Sequence, residues 1–427
     1  MVTASTRARS PQNRAAHRSL LPRLDAATAP VLRAAKAPQA PREAAGRAIA
    51  SEASVAASAR AKPAPLGNNA SNDSARELAR ACRSVRYGLR KVAWPLQRNV
   101  NARKCGRVPH AASVEIRLRV EDGSAHYHGL VRCGSWSACP VCSLQIAMHR
   151  AEEVRRIADA HRAAGGALYL VTLTLPHDQR DRLEPLYQAA ADSYRYVRSG
   201  ASWYEAKARV GYVGEIRALE ATVGANGWHP HVHVLLFTSG PLDATQLDEL
   251  RAYYHRRWSN RIERFGYRAP TEERGVSIVE SHRDDYVAKM GLADELVKGV
   301  SKDGRSEESR TPLQVLADFA ETGEVADHDL WCEWVGAMHG ARQLTWSRGL
   351  RERYDGMPEK TDAEIVAGEE SNAEESVAMI AADMWRVIVR ADANVMWQLL
   401  DAAETGGAGA VEALIENRVA ALRKRAA

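Results

Sequence analysis

Four apolar segments in the middle of the chain predict the strands of a sheet. Residues 167–175 (ALYLVTLTL) form a continuous β-branched and apolar run, which is typical of a buried strand. The segments 210–223 and 229–238 have the same character and flank Asn226-Gly227. Because both residues of an Asn-Gly pair tolerate positive φ, this pair predicts a two-residue hairpin turn. A further strand is predicted at 275–280.

Other segments repeat their apolar side chains with the period of an α-helix. In residues 143–164 these side chains share one face, and Gly165-Gly166 predict the end of the helix. The remaining predicted helices are 181–200, 243–264, 284–298, 374–404 and 410–425. Helices and strands alternate, yet the one clear turn is a hairpin. We therefore expect an α+β fold in which flanking helices pack on a central antiparallel sheet.

The second hairpin strand carries three histidines at alternate positions. On a strand, His229, His231 and His233 point to one face, whereas Val232 and Val234 point to the other. Two imidazoles two residues apart can bind one divalent ion, and a mixed nitrogen and oxygen site suits Mn²⁺ or Mg²⁺. A surface strand with exposed histidines is the alternative, but three imidazoles on one face favour a metal site.

The hairpin also predicts a carboxylate ligand for the same site. With Asn226-Gly227 as the turn, Glu220 lies opposite His233, and directly opposed side chains are ~5 Å apart at Cβ. A register shift of one residue would move Glu220 to the other face. His177, which follows the strand 167–175, is the rival or additional third ligand. Glu220 could instead orient an imidazole by a hydrogen bond.

Most of the cysteines lie before the first predicted helix. Cys139-Pro-Val-Cys142 is a C-x₂-C pair, and Cys133 and Cys105 lie upstream of it. Four soft ligands suit tetrahedral zinc, and a C-x₂-C pair supplies two sulfurs to one ion. We expect a structural zinc site formed by Cys133, Cys139 and Cys142, with Cys105 as the fourth ligand. Cys82 or a nearby histidine could replace Cys105, and buried, unligated cysteines are the alternative.

Composition and charge restrict the class of protein. The chain has 427 residues and a net charge of +6, which is compatible with a nucleic-acid partner, although charge alone favours an ordinary solvated surface. Its apolar runs are far shorter than the ~20 residues of a membrane helix, and the N-terminus lacks the apolar core of a signal peptide. We therefore expect a cytoplasmic protein without a membrane partner. Residues 1–75, rich in Ala, Arg, Pro and Ser, predict a disordered basic tail.

A tyrosine and a lysine lie near the start of the predicted helix 284–298. Tyr286 and Lys289 are three residues apart and so lie on one helical face. Tyrosine is a poor nucleophile unless a nearby cation favours its phenolate, and Lys289 or a metal ion could provide that cation. Taken alone, Tyr286 is better explained as a packing aromatic.

Together, these motifs resemble those of the rolling-circle replication initiator (Rep) proteins of small bacterial plasmids, members of the HUH endonuclease superfamily. The matching segments are 133–142, 172–177, 229–233 and 286–289, and residues 342–349 (RQLTWSRG) are also similar to such proteins. The resemblance implies a sheet of ferredoxin-like or RNA-recognition-like topology. It further implies a divalent metal, Mn or Mg, bound by His231 and His233, and Tyr286 as the nucleophile.

The resemblance implies a site-specific single-strand DNA endonuclease and strand transferase. Tyr286 would nick one strand of the plasmid origin, leaving a 5′-phosphotyrosine link and a free 3′-OH that primes synthesis. Single-stranded or hairpin origin DNA, a host helicase and a host polymerase are the implied partners. Residues 76–142 would form the zinc subdomain, 143–300 the nicking domain and 301–427 a helical C-terminal region.

Two other functions are compatible with parts of the pattern. A histidine-triad nucleotide hydrolase would use His231 as its nucleophile without a metal, and a zinc-stabilised DNA-binding regulator of copy number would not cut DNA.

The segments 194–198 and 253–258 combine aromatic and basic side chains, as single-stranded DNA sites do, although amphipathic helices have the same pattern. The chain also departs from many Rep relatives, because Met290 replaces a second tyrosine and His282 a glutamate.

Overall fold

The computed structural model describes residues 69–120, 122–281, 309–356, 358–368 and 374–426. The strands in these ranges are β1 (Ser113–Arg119), β2 (Ala125–His128), β3 (Ala167–Thr174), β4 (Tyr212–Gly224), β5 (Gly227–Thr238), β6 (Val276–Glu280), β7 (Ser309–Arg310), β8 (Leu344–Trp346) and β9 (Glu374–Ala381).

The helices of the same ranges begin at Asn69, upstream of the boundary predicted at residue 75. They are α1 (Asn69–Leu96), α2 (Val100–Lys104), α3 (Pro140–Ala163), α4 (Leu183–Val197), α5 (Ala201–Arg209), α6 (Ala244–Arg264), α7 (Glu272–Gly275), α8 (Pro312–Thr322), α9 (Val325–Ala337), α10 (Leu350–Tyr354), α11 (Asp362–Ala367), α12 (Ala382–Ala391) and α13 (Val395–Ala426). Within the described part of the chain, every helix is too short or too polar to cross a membrane.

Six of the described strands form a central sheet. Their order is β6-β3-β5-β4-β7, and β8 also pairs with β4. Every strand pair in this sheet is antiparallel. The predicted combination of helices with an antiparallel sheet is therefore confirmed for the described residues. The long β4-β5 hairpin lies within the sheet and carries the histidine motif.

The turn of this hairpin lies one residue earlier than predicted. Gly224 pairs with Gly227, so the turn consists of Ala225-Asn226 and not of Asn226-Gly227. Gly227 has a φ of +84°, which favours glycine, and a Cβ there would lie 3.0 Å from the Cα of Gln179. The glycine is therefore needed just after the turn rather than within it.

The earlier turn shifts the register of the two strands by two residues. Glu220 pairs with His231, and the predicted pairing with His233 is wrong. Because side chains alternate with a period of two, a shift of two positions leaves Glu220 on the predicted face of the sheet. The glutamate and the histidines therefore still share one face.

A smaller sheet has the strand order β2-β1-β9. Its third strand, Glu374–Ala381, lies in the segment 374–404 for which we predicted one helix, so that prediction was wrong for these residues. Ile380 is buried there, whereas Met379 is 68% exposed. The strand pairs with β1, far away in the sequence, and such a tertiary pairing overrides local helix propensity. The C-terminal region is therefore not wholly helical.

The C-terminal helix α13 packs against the N-terminal part of the described chain. Gly407 has non-helical φ and ψ, which confirms the predicted break between two helices. Glu404 accepts two hydrogen bonds from the Arg83 guanidinium of α1, at 2.9 and 2.5 Å. It also accepts a hydrogen bond of 2.7 Å from the backbone N–H of Ala125 in β2. These contacts connect both ends of the described chain to the smaller sheet.

Two apolar layers cover the faces of the central sheet. On one face, Val171 and Val234 belong to a core that includes Trp258 of α6. On the other face, Leu168 and Phe237 belong to a core with residues of α3 and α10, among them Val154, Ile157 and Leu350. The histidines lie further along this second face, beyond the end of its apolar layer.

The two predicted aromatic-basic segments are parts of ordinary amphipathic helices. Tyr194 of α4 and Tyr253, Tyr254 and Trp258 of α6 are all buried. Tyr196 is half-buried, and the Arg257 guanidinium stacks 3.9 Å from its ring centre. Most of these aromatic rings therefore support the sheet and cannot stack on nucleic-acid bases.

Candidate functional site

Two threonines of β3 hold the imidazoles of the hairpin in place. The Thr174 hydroxyl lies 3.1 Å from Nδ1 of His231, and the Thr172 hydroxyl lies 3.1 Å from Nδ1 of His233. The contacts follow from the register, since each threonine pairs directly with its histidine. A neutral imidazole that donates from Nδ1 keeps the lone pair of Nε2 free for a metal. Each ring is thus fixed in an orientation suitable for a ligand.

Glu220 joins this pair of imidazoles from the neighbouring strand. Its Oε2 atom lies 3.1 Å from Nε2 of His233. Neighbouring ligands of an octahedral ion with bonds of ~2.1 Å are about 3.0 Å apart. The chemistry and spacing of this oxygen and nitrogen therefore suit a hard divalent ion such as Mg²⁺ or Mn²⁺.

His177 and His229 extend the row of rings towards the hairpin turn. His177 Nε2 lies 2.6 Å from Nδ1 of His229, and His177 Nδ1 lies 3.0 Å from the Asn226 carbonyl. The ring centres of His229 and His231 are 4.3 Å apart. His177 therefore contacts His229 rather than the pair formed by His233 and Glu220.

The environment keeps His231 uncharged at neutral pH. Burial lowers its pKa to about 3, and the neighbouring imidazoles of His229, His233 and His177 act in the same direction. Burial and His177 likewise lower the pKa of His229. A neutral imidazole is the form that binds a metal ion, so no proton has to leave His231 before binding.

The donor atoms of the β5 histidines and Glu220 lie further apart than those of the cysteines. Among the described residues, one group of three or more His, Cys, Asp or Glu side chains has all its donor atoms within 4.8 Å of one another. That group is Cys105, Cys133, Cys139 and Cys142. A metal at the histidines therefore requires small side-chain movements or ligands supplied by the substrate.

The predicted nucleophile Tyr286 and its neighbour Lys289 lie outside the described residues. The chain enters that segment from β6, which pairs with β3. Ser277 of β6 pairs with Thr172, which in turn pairs with His233. Two strand spacings of ~4.8 Å therefore separate β6 from the histidine strand.

The four predicted zinc ligands come together in one cluster. The Sγ atom of Cys142 lies 3.5 Å from that of Cys105 and 3.7 Å from that of Cys133. Cys105 and Cys139 are 3.7 Å apart. Tetrahedral Zn–S bonds of ~2.3 Å place neighbouring sulfurs about 3.8 Å apart. The cluster can therefore bind a metal such as zinc, with Cys105 as the fourth member.

The surroundings of the cluster favour a thiolate at Cys105, whereas hydrogen bonds to the neighbouring sulfurs raise the pKa of Cys133 and Cys139. Cys139 caps the N-terminus of α3, where its sulfur accepts a hydrogen bond of 3.5 Å from the Cys142 N–H. The pKa of Cys105 is strongly lowered, because neighbouring thiols donate hydrogen bonds to its sulfur and because Arg90 lies nearby. Both a helix N-terminus and a neighbouring cation stabilise thiolate over thiol.

Arg90 is a member of this site that the sequence pattern did not reveal. Its side chain is 2% exposed, and its guanidinium lies 4.2 Å from the Tyr87 ring centre. The pKa of Arg90 is raised although burial opposes this, because of Tyr87 and the sulfurs of Cys105, Cys139 and Cys142. Four thiolates around Zn²⁺ carry a net charge of −2, which a buried guanidinium partly balances. No motif signals this arginine, since it approaches from α1.

Comparison with known proteins identifies the family. The sequence profile of the Rep_1 family, described as replication protein, matches residues 131–392, which is more than half of the chain. The chain belongs to the Rep_1 family of replication proteins. This membership confirms the resemblance to plasmid replication initiators. It also favours that function over the histidine-triad hydrolase.

Curated relatives of this Rep_1 protein come from Streptomyces. "Protein rep" of Streptomyces lividans is 28% identical over 351 residues, which cover 65% of this chain and 77% of the relative. "Neomycin resistance protein" of Streptomyces cyanogenus is 35% identical over 159 residues, covering 31% of this chain and 36% of the relative. No solved structure matches the chain.

Proposed function

We propose that this Rep_1 protein nicks one strand of a plasmid origin through Tyr286, by the rolling-circle mechanism of HUH endonucleases. The observation that carries the proposal is the fixed imidazole pair. His231 and His233 are oriented by threonine hydroxyls and adjoin the Glu220 carboxylate on one face of a sheet. A divalent ion at these three side chains would polarise the scissile phosphate and offset the charge of the transition state.

The connection after β6 allows Tyr286 to reach this site. Tyr286 lies six residues beyond Glu280, the last residue of β6. A six-residue segment spans up to about 20 Å when extended. Glu280 pairs with Tyr169, which pairs with Leu236, so Glu280 lies two strand spacings across the sheet from the histidine strand and three residues along it from His233. The separation is therefore about 14 Å, which is within the extended reach of this segment.

The proposed step exchanges one phosphodiester bond for another. The phenolate oxygen of Tyr286 attacks the phosphorus and forms a bond to it, while the bond from phosphorus to the 3′-oxygen breaks. The 3′-oxygen leaves and takes up a proton, giving the free 3′-OH. The other product is a 5′-phosphotyrosine, which retains the energy needed to rejoin the strand. Lys289, one helical turn from Tyr286, would favour the phenolate.

A covalent-adduct assay tests this function. The protein is incubated with labelled single-stranded origin oligonucleotides and Mn²⁺ or Mg²⁺, and adducts are separated on denaturing gels. We expect an adduct with the wild-type chain and none with Tyr286→Phe. Mass spectrometry of the trapped peptide should place the nucleotide on Tyr286.

Matched variants make the assay specific. Tyr204 is 68% exposed on α5, so Tyr204→Phe should leave the adduct unchanged. His231→Ala and His233→Ala should lower the rate about 10³-fold, since metal stabilisation of phosphoryl transfer amounts to several kcal/mol. An adduct that persists in Tyr286→Phe would refute the assigned nucleophile. DNA binding without any cleavage would instead support a regulator that binds the origin.

A further inference from the structure

A large cavity lies at the edge of the central sheet, next to the cluster of four cysteines. It has a volume of about 890 Å³ and is bounded by the loop 133–138, the end of α1 and the segment 335–344. Leu344 in its wall pairs with Ala218, which pairs with His233. Two strand spacings, about 10 Å, therefore separate this wall from the proposed nicking centre.

Two buried glutamines in the cavity lining have unused hydrogen-bond acceptors. Gln97 is 4% exposed and Gln343 is 8% exposed. The Gln97 amide nitrogen donates to the Ala138 carbonyl at 2.8 Å, which leaves its Oε1 as the free atom. The Oε1 atoms of both residues have no hydrogen-bond partner among the described residues. Buried carbonyl oxygens without partners are costly, so both favour a ligand that brings N–H donors.

The charges around the cavity favour an anion. Two carboxylates in the lining are already paired, Asp362 with Arg150 at 3.3 Å and Glu359 with Arg351 at 3.1 Å. Arg98 and Arg342 also line the cavity, are exposed, and have no ion pair in the described part of the chain. Arginines of this kind bind phosphate groups.

We propose that this cavity receives one unstacked base of the single-stranded DNA next to the nick. The glutamine carbonyls accept hydrogen bonds from an amino group of adenine, cytosine or guanine, and Arg98 and Arg342 bind the flanking phosphates. Trp136 supplies aromatic surface in the lining. The volume suits a nucleotide, since small-molecule sites occupy ~300–1,000 Å³. The inference rests on the proposed action on single-stranded DNA and adds a base preference to it.

Binding to short oligonucleotides tests the pocket separately from the nicking reaction. The probes are fluorescein-labelled ten-residue oligo-dT strands, either unmodified or with one central adenine, cytosine or guanine. Fluorescence anisotropy is measured with Tyr286→Phe protein, so that no covalent capture occurs. At least one amino-bearing base should bind about 10-fold more tightly than thymine. Gln343→Leu and Gln97→Leu should remove this preference.

Two controls separate the pocket from general effects. Gln188→Leu, at an exposed position on α4, should keep the preference. The second control changes the DNA and leaves the pocket residues unaltered, so a folding defect cannot explain its result. Replacing a preferred adenine by purine, or a preferred guanine by hypoxanthine, removes the amino group and should abolish the base preference. Free dAMP, dCMP and dGMP should compete only weakly. If they bind more tightly than the strands, the pocket serves free nucleotides and the strand proposal is wrong.

The outcome also distinguishes the two proposals from each other. Equal affinity for all four oligonucleotides, with wild-type nicking intact, would overturn the base pocket and leave the nicking function standing. A base preference that depends on Gln343, without any covalent adduct from the wild-type chain, would support the pocket and refute the nicking. Failure to bind any strand would overturn both.

Discussion

The two candidate metal centres of this protein differ in how far the fold assembles them. The four cysteines are drawn together, with sulfurs 3.5–3.7 Å apart, and three of the four are buried. The histidine centre has two fixed rings and one adjoining carboxylate, but its donors do not converge on one point. A closed shell of four ligands is typical of structural zinc, whereas catalytic metals keep positions open for substrate.

The difference also appears in what surrounds each centre. Helix α1 lies against the cysteines, where its Trp94 indole N–H donates to the Cys105 carbonyl at 3.1 Å and its Arg90 balances negative charge. The histidines lie where the apolar layer on their face of the sheet ends. We infer that the first centre contributes to stability and the second to chemistry, and the following variants test this contrast.

The largest effect is expected from loss of a cysteine. In Cys142→Ser the cluster loses one of four ligands, and metal binding is coupled to folding, so stability should fall by several kcal/mol. Thermal unfolding and zinc content per chain measure this. Cys332→Ser removes a half-buried cysteine outside the cluster and should change stability by less than about 1 kcal/mol. Equal stability of both variants would show that the cluster holds no structural metal.

A smaller effect, confined to the second centre, is expected from the threonines. Thr172→Val and Thr174→Val each remove the hydroxyl that orients an imidazole, and such losses weaken metal binding about 10–100-fold. Mn²⁺ titration followed by electron paramagnetic resonance measures the affinity, with thermal unfolding as the check on folding. Thr222→Val, at the position paired with His229, is the matched control. Unchanged Mn²⁺ affinity in all three variants would place the metal elsewhere.

The smallest effect concerns pH and the protonation of His231. Its pKa is lowered from 6.5 to about 3 by burial and neighbouring imidazoles. Between these values the unfolded chain binds a proton that the folded chain does not, so stability falls as the pH falls below ~6.5. Without added divalent metal, we expect the free energy of unfolding to fall by about 1–2 kcal/mol between pH 6.5 and pH 5. His231→Asn should flatten the unfolding curve against pH in this window, whereas His128→Asn, at an exposed residue, should not.

The local pattern predicted the two strands of the central hairpin. Continuous apolar and β-branched runs located β3, β4 and β5, and the helical period located α3. The C-x₂-C pair and the alternating histidines indicated metal sites from side-chain chemistry alone. Glu220 was placed on the right face although the register was off by two residues, since side-chain direction depends only on parity.

Long-range contacts decided the rest. β9 forms because β1 provides a partner, whereas the local pattern predicted a helix over the same residues. Arg90 reaches the cysteines from α1, and Gln97 and Gln343 meet at one cavity from distant segments. The sequence by itself thus determined which residues are candidates for chemistry and which face of a strand they occupy, because these depend on residue type and local period. Only the tertiary structure decided which of them become neighbours, because that depends on how separate elements bury their apolar surfaces against one another.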